Sequence, residues 1–325
     1  MPLADLPLAE CRDFRPELPE PDGFDDFWSQ TCREAEKHAG DPKFEPVENG
    51  LALVDTYDVT FTGFDGDPVR GWLHLPRTAR DEPLGCVVEF LGYGRGRGLP
   101  HENTLWALAG HAHLVMDTRG QGWSASPGVT PDPGSAPHGT VPGFLTSGIH
   151  NPYTHYYRRL FTDAVRCVAT ARAHPAVAAD RVVVAGVSQG GGMALAAAGL
   201  APGLAGVMAD VPFLCHIRRG VELALQPPYA GVAEYLRLHR DRDRTEAVFR
   251  TLSYFDAALL GARASAPALF SVAMRDEICP PSTCFTALNH YGGPKEARIY
   301  EFNGHEGGGQ YQQREQLAWL RALLG

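Results

Sequence analysis

The sequence predicts an α/β protein whose mixed, mainly parallel sheet is covered by helices, and three observations predict it. From Gly85 onward the chain carries short apolar runs without polar alternation, as strands buried on both faces of a parallel sheet do. Longer segments with apolar residues at helical spacing lie between these runs. One run ends in a glycine-flanked serine and passes directly into a small-residue apolar stretch, which reads as strand, sharp turn and helix. The 325 residues would allow two domains at roughly 150 residues each, but one large α/β domain over 1–325 fits the strand rhythm, and no internal repeat interrupts it.

The elements follow in order. Residues 1–45 are rich in proline and acids, yet Phe24, Phe27, Trp28 and Cys32 recur near helical spacing, so this arm should carry one amphipathic helix packed on the body. Residues 51–61 and 69–75, separated by Gly63 and the Asp65-Gly66 turn signal, read as an antiparallel hairpin. Runs 86–91, 112–116, 181–187, 204–209 and 268–273 are the candidate buried strands, with a further strand at 297–302. Tyr157, Leu160, Phe161, Ala164, Val165, Val168 and Ala169 define the core face of a helix before the strand at 181, and 310–324 closes the chain as another helix. Residues 212–263 are charged, contain Pro227-Pro228 and break the rhythm, so they read as a mostly helical insertion of the kind that covers a site.

Several function classes fall away on composition. Hydrophobic residues at 44% and charged residues at 21% match globular averages, and 36 glycines with 26 prolines stay below the low-complexity threshold of roughly 25%. A net charge of −9 without any block of five basic residues argues against nucleic-acid binding. Residues 182–209 carry no charge, but Ser188, Gln189, Pro202 and seven glycines interrupt them, so they read as strand, turn, helix and strand rather than a membrane span. Residues 1–10 hold two acids and no Lys or Arg, unlike a signal peptide, and the seven cysteines lack a C-x-x-C pair, as expected of reduced thiols in a cytoplasmic protein. His111 and His113 alternate on an apolar run without a third ligand at recognisable spacing, so a structural role is favoured over a metal site.

The strongest chemical signal is Gly186-Val187-Ser188-Gln189-Gly190, a G-x-S-x-G between a strand and a helix. A sharp elbow there exposes the serine Oγ above the sheet, which makes Ser188 the candidate nucleophile over a plain tight turn. A serine hydroxyl needs a base to accept its proton and a carboxylate to orient that base. Asp276 follows the strand at 268–273 and His305 follows the one at 297–302, and the order Ser188, Asp276, His305 is that of the α/β-hydrolase fold. Glu277 and Asp210 are the rival acids, and Asp276 is favoured over both. Backbone donors for the tetrahedral oxyanion should come from Gln189, just after the nucleophile, and from the loop Leu91-Gly92-Tyr93-Gly94-Arg95, where the Tyr93 amide is nominated. The glycines at 92, 94, 96 and 98 do not make the G-x-G-x-x-G of a dinucleotide site.

With these residues in place, the chain resembles the acetyl xylan esterase and cephalosporin-C deacetylase group, carbohydrate esterase family seven. Arg119-Gly120-Gln121 after Asp117, Gly186-Val187-Ser188-Gln189-Gly190 and His305-Glu306 carry the resemblance. Further matches are Ala209-Asp210-Val211-Pro212-Phe213-Leu214-Cys215-His216, Asp276-Glu277-Ile278-Cys279-Pro280-Pro281-Ser282-Thr283 and Phe24-Asp25-Asp26-Phe27-Trp28. The resemblance implies removal of acetyl groups from small acetylated sugars and antibiotics by nucleophile Ser188, acid Asp276 and base His305, with oxyanion amides Tyr93 and Gln189. It also implies no metal or organic cofactor and a homo-oligomer, usually a ring-like hexamer. The chain departs from the family at Leu91, where members commonly have histidine, and in the proline-rich segment 128–148.

The expected activity is therefore serine esterase chemistry on short acyl groups, with the Tyr93 and Phe213 side chains as expected walls of the acyl pocket. An oligopeptidase-type serine peptidase shares the elbow and residue order, but the chain shows no 40- to 50-residue repeat of a propeller domain. A binding protein on the same scaffold is the non-enzyme alternative. Arg119 and Glu306 sit in two of the three signatures; either they form an ion pair that fixes the His305 loop, or each makes its own local contacts.

Overall fold

Nine strands form one sheet in the computed structural model, which describes residues 5–77, 82–134 and 143–325. Positions 135–142 of the proline-rich segment at 128–148 lie outside the described residues. Strands β1 (Lys43–Val47), β2 (Val54–Thr62) and β3 (Pro68–Pro76) are antiparallel to their neighbours. Strands β4 (Leu84–Phe90), β5 (Ala112–Met116), β6 (Val177–Val187), β7 (Gly206–Asp210), β8 (Ala268–Ala273) and β9 (Lys295–Tyr300) run parallel, and the spatial order is β1-β2-β3-β5-β4-β6-β7-β8-β9. With helices on both faces this is the α/β-hydrolase fold.

The β2–β3 hairpin turns through a short 3-10 segment, Phe64–Gly66, in which Asp65 and Gly66 both take positive φ (54° and 80°), the conformations this turn dipeptide accommodates best. Strand β1 was invisible to sequence pattern because Pro46 and its exposed polar neighbours show no alternation; a proline is tolerated there because β1 is an edge strand. Strand β6 begins at Val177 rather than 181, since Val177 pairs with Leu84 before a register shift brings Val182 opposite Cys86. Strand β9 ends at Tyr300 instead of running to 302; Glu301 and the exposed Phe302 already belong to the following loop.

The arm holds two helices, α1 (Leu8–Asp13) and α2 (Phe24–Lys37). Helix α2 buries Phe24, Phe27, Trp28, Thr31 and Ala35, and the Trp28 indole donates to the Tyr254 carbonyl at 2.9 Å. Each aromatic side chain so buried contributes roughly 1.5–3 kcal/mol, enough to hold a proline-rich arm against the body. Helix α3 (Leu105–Leu108) precedes β5, and α4 (Tyr156–Ala173) precedes β6. Helix α5 (Gln189–Leu200) is small and apolar all round, as a helix enclosed by sheet and neighbours must be. Between β7 and β8 lie four helices, α6 (Ile217–Leu223), α7 (Tyr229–Leu238), α8 (Arg242–Ser253) and α9 (Ala257–Gly261). Helices α10 (Pro281–His290) and α11 (Gly309–Leu324) complete the chain. Among the described residues, no helix is long and apolar enough to cross a membrane.

Candidate active site

Ser188 stands alone between the last residue of β6 and the first of α5, at φ 59° and ψ −118°. A non-glycine residue held there stores on the order of 1–3 kcal/mol of strain, so its surroundings must enforce it. They do so through backbone packing: a Cβ on Gly186 would collide with the Gly190 carbonyl, and one on Gly190 with the Phe90 carbonyl oxygen. The Ser188 amide donates to the Asp210 carbonyl at 2.9 Å, and its own carbonyl accepts from Gly192 at 3.0 Å and Phe213 at 2.9 Å. The side chain keeps a narrow opening to solvent, with 8% of the residue exposed.

Asp276 sits in the turn leaving β8. One carboxylate oxygen accepts from the amides of Ile278 and Cys279 at 2.8 and 2.9 Å, and the other lies 2.8 Å from His305 Nδ1. The acid is fully withdrawn from water while a third of the His305 side chain is exposed. This is the polarity a relay needs, with a fixed, dry carboxylate behind an imidazole whose other edge faces outward. The buried Cys279 thiol completes the cluster next to Ser188, and burial holds its pKa well above the ordinary thiol range. Its sulfur, a His305 ring nitrogen and an Asp276 oxygen lie within 4.8 Å of one another, a spacing at which three such atoms could hold a metal ion. Within this set His305 Nδ1 is paired with Asp276.

The rival acids are placed elsewhere. Both Asp210 carboxylate oxygens accept from α11, one from Gln312 Nε2 at 2.8 Å and the other from Gln316 Nε2 at 2.7 Å, and burial pushes the group up to about 7. Glu277 is half-buried, and its neighbour Asp276 takes the histidine.

An ion pair between Arg119 and Glu306 does not form. Arg119 is fully buried and binds Asp163, Asp67 and Asp132, whereas the exposed Glu306 accepts from Asn303 Nδ2 at 2.6 Å and the Gly304 amide at 3.0 Å. The physical reason is distance from water. A fully desolvated guanidinium needs carboxylates that are themselves fixed in the interior, and Glu306 lies in an exposed loop.

Of the two nominated oxyanion donors, Gln189 directly follows the serine, and Tyr93 lies in the glycine-rich loop after β4. Gln189 is the first residue of α5, where the helix leaves the amide without an intrahelical partner. The Tyr93 hydroxyl accepts from the Phe144 amide at 3.1 Å, and burial holds the phenol neutral by raising its pKa. Its ring meets Trp123 and Phe144 edge-on, at centroid distances of 5.6 and 5.9 Å. Phe213 has no exposed surface and packs on Tyr229 at 4.4 Å, so its ring lies behind the site as core. Sequence pattern assigned no role to Trp123, Phe144, Cys279 or Gln121. Of these only Cys279 and Gln121 carried a signal, because they belong to segments that resemble the esterase family.

Comparison with known proteins shows which family the chain resembles over its length. The family model described as acetyl xylan esterase (AXE1) matches residues 1–323. The solved acetyl xylan esterase from Paenibacillus sp. R4 superposes with a TM-score of 0.92 at 37% identity, covering 98% of this chain and 100% of that one. Acetyl xylan esterase 1 from Thermoanaerobacterium sp. JW/SL YS485 gives 0.87 at 30% identity over 98% and 99% of the two chains. The acetyl esterase Axe7A of Xylanibacter ruminicola is 26% identical over 304 residues, 90% of this chain. The chain spans 65% of that curated relative's length.

Proposed function

This chain belongs to the acetyl xylan esterase family, and from that premise we propose that it is a serine esterase removing acetyl and similarly short acyl groups from small acetylated substrates. The observation that carries the reading is the 2.8 Å contact of His305 Nδ1 with the buried Asp276, in a chain whose elbow holds Ser188 in a strained conformation. In the first half-reaction Ser188 Oγ attacks the acetyl carbonyl as His305 takes its proton. The negative oxygen is held by the Tyr93 and Gln189 amides, worth roughly 3–4 kcal/mol each where such donors are preorganised. The C–O bond to the alcohol breaks as His305 returns the proton to it. Water then repeats the sequence on the acetyl-serine, and acetate leaves.

The relatives' names favour acetylated xylo-oligosaccharides as substrates, with acetylated cephalosporins the second class. A hexameric assembly follows from the family resemblance; the exposed Leu225 and Phe302 are apolar surface such an assembly would cover. Seven free cysteines support a reducing, cytoplasmic setting. The peptidase reading gains no support from relatives that match end to end and are esterases.

The test is organophosphate labelling with mass mapping, alongside rates on acetylated xylo-oligosaccharide, an acetylated cephalosporin and an aryl acetate. One label per chain on Ser188, and loss of hydrolysis in a folded Ser188→Ala, are expected. Residual activity within tenfold of the parent would remove Ser188 from the mechanism, and a chain that takes no label would be a binding protein.

A further inference from the structure

Two buried glutamines face each other beneath the proposed oxyanion site. Gln121 Nε2 donates to Gln189 Oε1 at 3.0 Å, and Gln189 Nε2 returns a bond to Gln121 Oε1 at 3.3 Å. Every remaining lobe of the pair is used. Gln121 Oε1 also accepts the Gly94 amide at 2.6 Å, and Gln121 Nε2 donates to the Tyr156 hydroxyl at 2.9 Å. Gln189 Nε2 reaches the Leu91 carbonyl at 3.3 Å, and Gln189 Oε1 accepts from the Tyr157 hydroxyl at 3.1 Å.

The anchors bracket one peptide unit. The Leu91 carbonyl and the Gly94 amide are tied to the amide pair, and between them the Gly92 carbonyl accepts from the Arg95 amide at 3.1 Å. In a trans peptide the N–H points opposite to the C=O, so fixing the Gly92 carbonyl also fixes the direction of the Tyr93 N–H. The other proposed donor is the backbone amide of Gln189 itself, whose side chain is half of the pair. The two donors, 96 residues apart in sequence, are joined here through side-chain amides, the Gln189 side chain reaching the Leu91 carbonyl 98 residues away.

We propose that Gln121 is a positioning residue that locks the two arms of the oxyanion hole at a fixed separation. The proposal rests on the serine esterase reading. Gln121 is in turn held from behind. Tyr156, which accepts its amide proton, donates its own hydroxyl to the Arg119 carbonyl at 2.7 Å, and the Arg119 guanidinium is locked by Asp163. The Arg119-Gly120-Gln121 segment thereby carries the rigidity of a buried ion cluster to the donors that meet the developing negative charge. Preorganised donors stabilise a transition state because they need not reorient as charge appears.

The experiment compares the parent with Gln121→Met, close in size but unable to make any of these bonds, and Gln121→Glu, which keeps an acceptor for the Gly94 amide. Active sites are counted by organophosphate titration, and kcat per titrated site, KM for an aryl acetate and the Ki of an alkylboronic acid, which forms a tetrahedral adduct on the serine, are measured. The expected result for Gln121→Met is a 10- to 100-fold fall in kcat, KM within threefold and a boronate Ki raised by a factor similar to the kcat loss. For Gln121→Glu, kcat relative to the parent should rise as pH falls, because a protonated carboxyl offers a carbonyl and an O–H as the amide does. The proposal is overturned by kcat and Ki within threefold of the parent, by a loss confined to KM, or by a reduced count of active sites with unchanged kcat per site. Failure of both variants to fold also counts against it, since a positioning role leaves a titratable enzyme. If the parent takes no label at Ser188, it is the esterase reading that falls.

Discussion

Arg119 and Asp163 meet through two hydrogen bonds, Nε to Oδ2 at 2.5 Å and Nη2 to Oδ1 at 2.8 Å, and neither side chain reaches solvent. Burial opposes the guanidinium's charge, but the carboxylates of Asp163 and Asp132 outweigh it and drive the Arg119 pKa upward. The pair ties the loop after β5 to α4, while Asp163 Oδ1 also receives the Phe64 amide from the hairpin turn. Arg119→Met should therefore strand a buried carboxylate and cost on the order of 3–5 kcal/mol, the usual result of removing one partner from such a pair. Urea unfolding monitored by circular dichroism measures it. A loss below 1 kcal/mol would mean that the remaining partners of Asp163 satisfy it unaided.

The two candidate acids should separate in kinetics. His305 bonds to Asp276 and both Asp210 oxygens bond to glutamines of α11, so only Asp276→Asn disturbs the imidazole. We expect a kcat loss of roughly 10⁴ for Asp276→Asn, as in related triads, against less than tenfold for Asp210→Asn. The opposite ranking in steady-state rates would transfer the orienting role to Asp210.

Asp210 has a different signature, in stability. Burial raises its pKa from 3.8 to about 7, and the amides of Gln312 and Gln316 offset this only in part. Between those values the folded chain holds a proton that the unfolded chain has released, so stability falls as pH rises from about 4 to about 7 and is level with respect to this group outside that window. The slope from one such group is at most about 1.4 kcal/mol per pH unit. Asp210→Asn, which cannot ionise, should lose this contribution, so its advantage over the parent grows from pH 4 to pH 7 in urea titrations. Profiles that stay parallel would show that Asp210 is ionised in the fold at neutral pH.

What the sequence made legible was whatever is imposed locally. Gly186 and Gly190 are demanded by backbone atoms within a few residues or one strand away, and the Asp65-Gly66 turn by its own φ angles, so both could be read from short strings. Strand ends were less legible, because Val177 joins β6 through a register shift set by β4. Partner choice was not legible at all for Arg119. Its three carboxylates come from the hairpin turn, the segment after β5 and the buried face of α4, and no spacing links them. A faint signal existed, for Arg158, Arg159 and Asp163 interrupt the apolar face of α4, and buried charges must be paired. The role of Gln121 was hidden for the same reason, since its partners lie 27 to 68 residues away.

We expect acyl-chain selectivity from the rigidity of the Tyr93 ring, the proposed wall of the acyl pocket. The ring is pinned by its hydroxyl to the Phe144 amide and flanked edge-on by Trp123 and Phe144, and Phe144 is itself packed on Tyr156 at a centroid distance of 4.1 Å. Such a wall cannot retreat without unpacking three rings. A methylene that fits gains only about 0.8 kcal/mol by burial, whereas forcing one into a well-packed site costs roughly 1–3 kcal/mol. Exclusion should therefore overtake the hydrophobic gain after one or two added carbons. With aryl esters as substrates, kcat/KM should be highest at acetate or propionate and at least tenfold lower at hexanoate. Phe144→Ala removes one flank of the Tyr93 ring, so it should shift the optimum toward butyrate while lowering kcat/KM on acetate, because the freed ring no longer steadies its own backbone amide. A parent series that peaks at hexanoate would mean an open, lipase-like pocket. An unshifted optimum in Phe144→Ala would instead move the wall away from the Tyr93 cluster.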